Sequence, residues 1–156
     1  MMENAETAHT GHLDHLVALA NEAIDDALTK RGGSVFTRRE GRPRPVSDEL
    51  AGALTDPDQM VVVGTYAGYP VGYAVAALEV LHDGSSLGRV RDIYVTPEAR
   101  QVGVGEVMMD HVVSWCVEHH CVGLDALALP GDRHTKNFFE TFGLKARALI
   151  VHRSLP

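Results

Sequence analysis

The chain has 156 residues, 45% of them hydrophobic, a formal net charge of −7 and two cysteines. That length makes one domain, 1–156, the default, and the negative charge argues against nucleic acid or an anionic membrane as general partners. Two cysteines make no disulfide framework, no apolar run approaches the roughly 20 residues of a membrane span, and the acidic start does not read as a signal peptide, so a reducing cytoplasm is the expected setting.

Residues 1–11 read as a loose leader. From His12 the helical period sets in: Leu13, Leu16, Val17, Ala20, Ile24, Ala27 and Leu28 make one apolar face. Thr10 is the candidate N-cap, and Gly32-Gly33 ends the helix. Residues 31–46 are a loop by composition and are basic, with Arg31, Arg38, Arg39, Arg42 and Arg44. Such a loop is either a solvated surface feature or a flap that draws an anionic group. Ser47 then caps a short helix that turns Leu50 and Leu54 inward. Met60–Tyr66 and Val71–Leu81 read as two strands of a hairpin about a turn at 67–70, and His82–Ser86 is a second turn. After a third strand and a long helix, Gly123–Leu129 reads as a strand, Arg133–Phe142 as a helix ended by Gly143, and Leu144–His152 as a last strand.

The stretch with chemical content is Val90–Glu106. Ile93 and Val95 belong to a strand that Pro97 ends, because proline donates nothing to a ladder. From Gly105 to about His119 the period becomes helical. Backbone amides at a helix start lack internal partners and sit at the positive end of its dipole, and glycines let a ligand approach them. The stretch is therefore an anion cradle in outline, suited to a phosphate or pyrophosphate. A dinucleotide fingerprint needs a third glycine where Met108 stands, and a phosphate-binding Walker loop needs lysine where Glu106 stands.

Arg100-x-x-Gly103-x-Gly105, after an Ile-x-Val-x-Pro strand, resembles the acetyl-CoA loop of the GNAT superfamily of N-acetyltransferases. Ala67-Gly-Tyr-Pro-Val-Gly-Tyr-Ala74 looks like that family's turn and third strand. Asn137-Phe-Phe-Glu-Thr-Phe-Gly-Leu144 is similar to its C-terminal segment. The resemblance covers about Met60 to the end, and more loosely the N-terminal helices. It implies an α/β fold: a GNAT-like mixed, largely antiparallel central sheet with helices on both faces. It also implies acetyl-CoA as co-substrate, an amine of a small molecule or peptide as acceptor, and a homodimer as a common state.

Carried over by position, the backbone of Arg100, Gln101, Val102, Gly103, Val104, Gly105 and Glu106 would hold the pyrophosphate. Ile93, Tyr94 and Val95 would run beside the pantetheine arm, in a gap between their strand and Gly123–Leu129. An N–H near Val95 would face the developing oxyanion. The family's usual asparagine falls on Asp132, and its proton-donating tyrosine falls on Phe139, which has no proton to give. Where some members carry a strand glutamate this chain has Arg89. Asp92 and Tyr94 are left as the candidate catalytic groups, with Asp125 and Tyr73 as weaker neighbours. The missing hydroxyl keeps a second possibility open, an acyl-CoA-binding domain without catalysis. Nine histidines occur, but neither His9, His12 and His15 nor Cys116, His119, His120 and Cys121 has structural-zinc spacing, so no metal is expected.

Overall fold

The computed structural model describes residues 2–156. In chain order it has strand β1 (Glu3–Thr7), a 3₁₀ turn (Thr10–His12) and helices α1 (Leu13–Leu28), α2 (Gly33–Arg39) and α3 (Val46–Thr55). Strands β2 (Gln59–Tyr66), β3 (Tyr69–Val80) and β4 (Ser86–Val95) follow. A 3₁₀ turn (Pro97–Ala99), α4 (Val104–Glu118), β5 (Gly123–Asp125) and α5 (Arg133–Thr141) complete it. The five strands form one sheet in chain order. Pairings up to β4 are antiparallel, and β5 lies parallel to β4 across the α4 crossover. This is the mixed, largely antiparallel sheet that the resemblance implies.

Helices cover both sheet faces, which is why Met60-Val-Val-Val63 is a continuous apolar run rather than an alternating one. Val62, Ala74 and Ala76 pack with Val104, Met108, Met109, Val112 and Cys116 of α4. Val61, Val63, Tyr73 and Val75 pack on the other side with Leu16 and Leu19 of α1 and with Val46 and Leu50 of α3. The two-residue period of the strands sorts these sets. Gly64 lets α4 approach: a Cβ there would stand 2.6 Å from Val104 Cγ1 and 2.8 Å from Met108 Sδ.

Several sequence expectations give way. The leader contains β1, an edge strand whose Ala5 alone is buried, so its outward residues are polar and mask the pattern. Thr10 does not cap α1; His12 stands at the N-cap, and His9 caps the preceding 3₁₀ turn. Residues 33–39 are helical rather than loop. Helix α3 starts behind Pro45, without a side-chain cap from Ser47. The expected strand over 123–129 stops at Asp125, and no strand forms over 144–152. The β4–β5 ladder has three pairs, ending at Arg89↔Asp125. Beyond it β4 continues to Val95 without a neighbour on that side, and a wedge opens between Val90–Val95 and residues 126–129.

Candidate active site

The wedge is part of a cavity of about 510 Å³. One wall is β4 from Val90 to Val95, and another is Leu127, Ala128 and Leu129. α1, α2 and α5 close it with Ile24, Phe36, Phe138 and Phe139.

The cradle lies at one end. Gly103 is the N-cap of α4 at φ 93°, and it supplies no capping side chain. The first helical bond is Val107 N–H to Gly103 O, 3.1 Å, so the amides before it head a 15-residue helix with no intrahelical partner. Gln101 is also left-handed, at φ 70°. Arg100, Gln101, Gly105 and Glu106 line the cavity, whereas Val104 is buried and Val102 packs against the core. These two could serve a ligand through their amides only. The donor set is a run of backbone N–H groups at the positive end of a dipole, which fits a pyrophosphate.

Along β4 the chemistry follows from alternation. Thr96 N–H donates to Val71 O of β3 at 2.8 Å. The polar groups of Val95, one residue earlier, therefore point to the opposite, open edge. Arg100 agrees with this: its Nε donates to Val95 O at 2.9 Å, and its guanidinium lies 5.5 Å from the centre of the Tyr94 ring. Val95 N–H thus points into the wedge.

Ile93 and Val95 pack toward α4, and Asp92 and Tyr94 face α1 and α3. Asp92 is held there tightly. Arg42 Nε donates to Oδ2 and Nη2 to Oδ1, both at 2.8 Å, and Tyr73 Oη donates to Oδ2 at 2.8 Å. Burial first, then the Asp92 carboxylate, push the Tyr73 phenol well above its ordinary range. Partial burial, then the nearby Glu22 carboxylate, raise Tyr94 as well. Both phenols stay protonated at neutral pH.

Asp132 lines the cavity, but its carboxylate caps α5, accepting from Thr135 N at 3.1 Å and Thr135 Oγ1 at 2.8 Å. Phe139 is buried beside the cavity. Asp125 stands on β5 at the last rung of its ladder with β4, outside the cavity lining, in an ion pair with Arg147, whose hydrogen bonds hold its carboxyl below the usual range. The basic loop carries few unpaired cations. Arg42 holds Asp92, Arg44 holds Asp25 and Asn21, Arg38 bonds Ser34, and Arg39 lies 3.4 Å from Glu40. Among the described residues no three His, Cys, Asp or Glu side chains are grouped to hold a metal ion.

Arg42, Tyr73, Phe36 and Asp26 also line the site, and sequence reasoning did not place Phe36 or Asp26 there. Asp26 sits one helical turn after Glu22, a spacing that puts both on one side of α1. That signal was available, but nothing in the sequence said which side faced a cleft.

A sheet splayed at β4, with an uncapped helix start below the gap, is a fold that other proteins share. Residues 18–144 match the model of the acetyltransferase (GNAT) family, and the chain belongs to that family. No curated protein matches it. Among solved structures it is similar to AAC(6')-Iy in complex with the bisubstrate analogue CoA-S-monomethyl-acetylneamine. Identity there is 16% and the TM-score 0.75, over 100% of this chain and 99% of that one. A BH1408 variant from Bacillus halodurans gives 15% and 0.81, covering 97% and 99%. The aminoglycoside acetyltransferase meta-AAC0020 from an uncultured soil metagenomic sample, in complex with sisomicin, gives 15% and 0.71, covering 99% and 96%. No described helix is long and apolar enough to cross a membrane.

Proposed function

We propose that this chain transfers an acetyl group from acetyl-CoA to an amine of a small molecule or peptide by direct attack. The observation that carries the reading is the open edge of β4, with Val95 N–H aimed into a wedge that ends at the uncapped start of α4. In this reading the amides from Arg100 to Glu106 bind the pyrophosphate, and Ile93–Val95 pair with the pantetheine arm as an added strand would. Attack by the amine nitrogen makes the C–N bond and places negative charge on the carbonyl oxygen, where Val95 N–H donates to it. The acceptor enters as the neutral amine, its ammonium proton given to water; as the C–S bond breaks, the new amide nitrogen releases a further proton to water, and the departing thiolate takes one. Phe139 has none to give, so Tyr94, a neutral phenol on the same strand, is the candidate donor. Asp92 acts by position. Three hydrogen bonds occupy its oxygens, and through them it holds Arg42 and Tyr73 against the acceptor end. Asp26 and Glu40 line that end and Glu22 stands near Tyr94; with Arg42 engaged by Asp92, they outnumber the cation Lys30 there, which favours a cationic amine as acceptor.

The absent hydroxyl at Phe139 favours a second reading, an acyl-CoA-binding domain that does not catalyse. Calorimetric titration with acetyl-CoA, on the wild type and on Gly103→Trp, followed by an acetyl-transfer assay over cationic and neutral amines, tests both. Binding that the tryptophan abolishes, with transfer to a cationic amine, is the expected result. Binding without transfer to any amine supports the second reading. No binding at all overturns both.

A further inference from the structure

Both cysteines stand where α4 ends, outside the cavity lining. The helix closes there in a Schellman arrangement. Cys121 N–H donates to Cys116 O and His120 N–H to Val117 O, each at 3.0 Å, and His120 is left-handed at φ 56°. Such a cap brings together the side chains of the two residues joined by its longer bond. Here those residues are Cys116 and Cys121. The covalent arms on either side of a 3.0 Å bond keep their Cα atoms within about 7 Å, a separation that a disulfide can span. The side chains follow the backbone: the two thiols lie within hydrogen-bonding reach of each other.

The pair is unequal. Cys116 is buried and Cys121 is half-buried. The Cys116 sulfur is seated under the ladder that holds β5. A Cβ on Gly88 would stand 2.5 Å from that sulfur and 3.4 Å from Leu124 Cδ1, and Gly88 pairs with Leu124. Burial first, then the neighbouring Cys121, push the Cys116 thiol up to about 12. It stays protonated and shielded, so Cys121 is the thiol that a dissolved oxidant meets. An accessible thiol beside a second cysteine that can resolve it is the arrangement of a reversible redox pair.

We propose that Cys116 and Cys121 form a reversible disulfide when the protein meets hydrogen peroxide, and that this bridge locks the turn joining α4 to β5. The Cys121 sulfur attacks one peroxide oxygen. The O–O bond breaks, and the thiol proton leaves with the other oxygen as water, so that Cys121 becomes a sulfenic acid. The Cys116 sulfur then attacks the Cys121 sulfur. The S–S bond forms, the S–O bond breaks, and the hydroxyl departs with the Cys116 proton as a second water. Two thiols give up two electrons, and one peroxide takes them. A dithiol restores both thiols by exchange, and in a reducing compartment the bridge is transient. β5 begins at Gly123, two residues after Cys121, and only three pairs hold it to β4. The bond therefore fixes that short strand at the end where it leaves the helix.

The test is graded hydrogen peroxide on the folded full chain, read by alkylation of the thiols after denaturation, by intact mass and by hydrogen exchange of the His120 and Cys121 amides. The wild type is expected to lose both alkylation sites together and to become lighter by two hydrogens. It should stay a single chain on a non-reducing gel and regain both thiols with dithiothreitol. The two amides are expected to exchange severalfold more slowly in the bridged form. Cys116→Ala is expected to stop at a Cys121 sulfenic acid that dimedone traps, and Cys121→Ser to keep Cys116 alkylatable at the same dose. A wild type that builds up sulfinic acid at Cys121 while Cys116 stays alkylatable overturns the proposal. So does a bridge between two chains, or two intact thiols at a dose that fully oxidises free cysteine. Unchanged amide exchange in the bridged form overturns the locking. None of these readouts depends on acetyl transfer.

Discussion

Arg42 and Asp92 lie fifty residues apart in the chain and meet as a two-point ion pair, with both nitrogen–oxygen distances 2.8 Å. The side chains are 4% and 8% exposed. The pair ties the loop between α2 and α3 to the middle of β4, and through Tyr73 it reaches β3. One guanidinium thus fixes the roof of the cavity relative to its floor.

Arg42→Ala leaves the Asp92 carboxylate buried without its cation. Removing one partner of a buried pair destabilises by about 3–5 kcal/mol. Arg42→Lys keeps the charge but loses the fork geometry, and falls in between. Urea denaturation of the three proteins checks the order. A loss below about 1 kcal/mol for the alanine variant would match a surface pair instead.

Phe139 offers a gain-of-function test. Phe139→Tyr restores a hydroxyl at the position where the family usually has one. General acid help is typically worth about 10²-fold or more. The acetylation rate should therefore rise, with the KM for acetyl-CoA little changed. Tyr94→Phe in the wild-type background should slow the reaction, and in the Phe139→Tyr background it should matter less. Equal effects of Tyr94→Phe in both backgrounds would show that Tyr94 is not the donor.

Tyr73 sets an alkaline limit. Its phenol is held neutral in the fold, above its ordinary value of 10.0. In the unfolded chain it ionises near pH 10. Its contribution is therefore complete below about pH 10 and declines as pH rises past that point toward the folded value, because the unfolded state then loses a proton that the folded state keeps. Tyr73→Phe removes this slope together with the bond to Asp92. Denaturation from neutral to strongly alkaline pH should show the wild type losing stability more steeply than the variant. Parallel curves would mean that another group sets the limit.

What the sequence disclosed depended on whether the signal was local. The strands β2 to β4 are β-prone runs bounded by turn signals, and α4 has a long helical period, so they were legible. The glycines at 103 and 105 marked the cradle, and Asp92 and Tyr94 were named as candidates by their position on the strand before it. Helix α2 was missed because its seven residues carry arginines and no apolar stripe. β1 was missed because an edge strand with one buried alanine has little pattern to show. Leu144–His152 fails for a different reason. Its composition is that of a strand, but no ladder forms there, and composition alone does not supply the neighbour a strand needs. The Arg42–Asp92 pair left no trace in sequence, since contacts between distant segments carry no spacing.

The close seat of α4 on Gly64 has a consequence at the other end of that helix. Val104 and Met108, the residues that press on this glycine, are also the first and fifth residues of α4. The helix is gauged against the sheet at both ends, by Gly88 under Cys116 near its C-terminus, where a Cβ would stand 2.5 Å from Sγ, and by Gly64 at the end that carries the cradle. Even a single methyl group on Gly64 would act as a shim under the cradle. It would shift the amide row relative to Val95 without touching either, so a residue two strands away from Val95 sets the spacing between the two ends of the site.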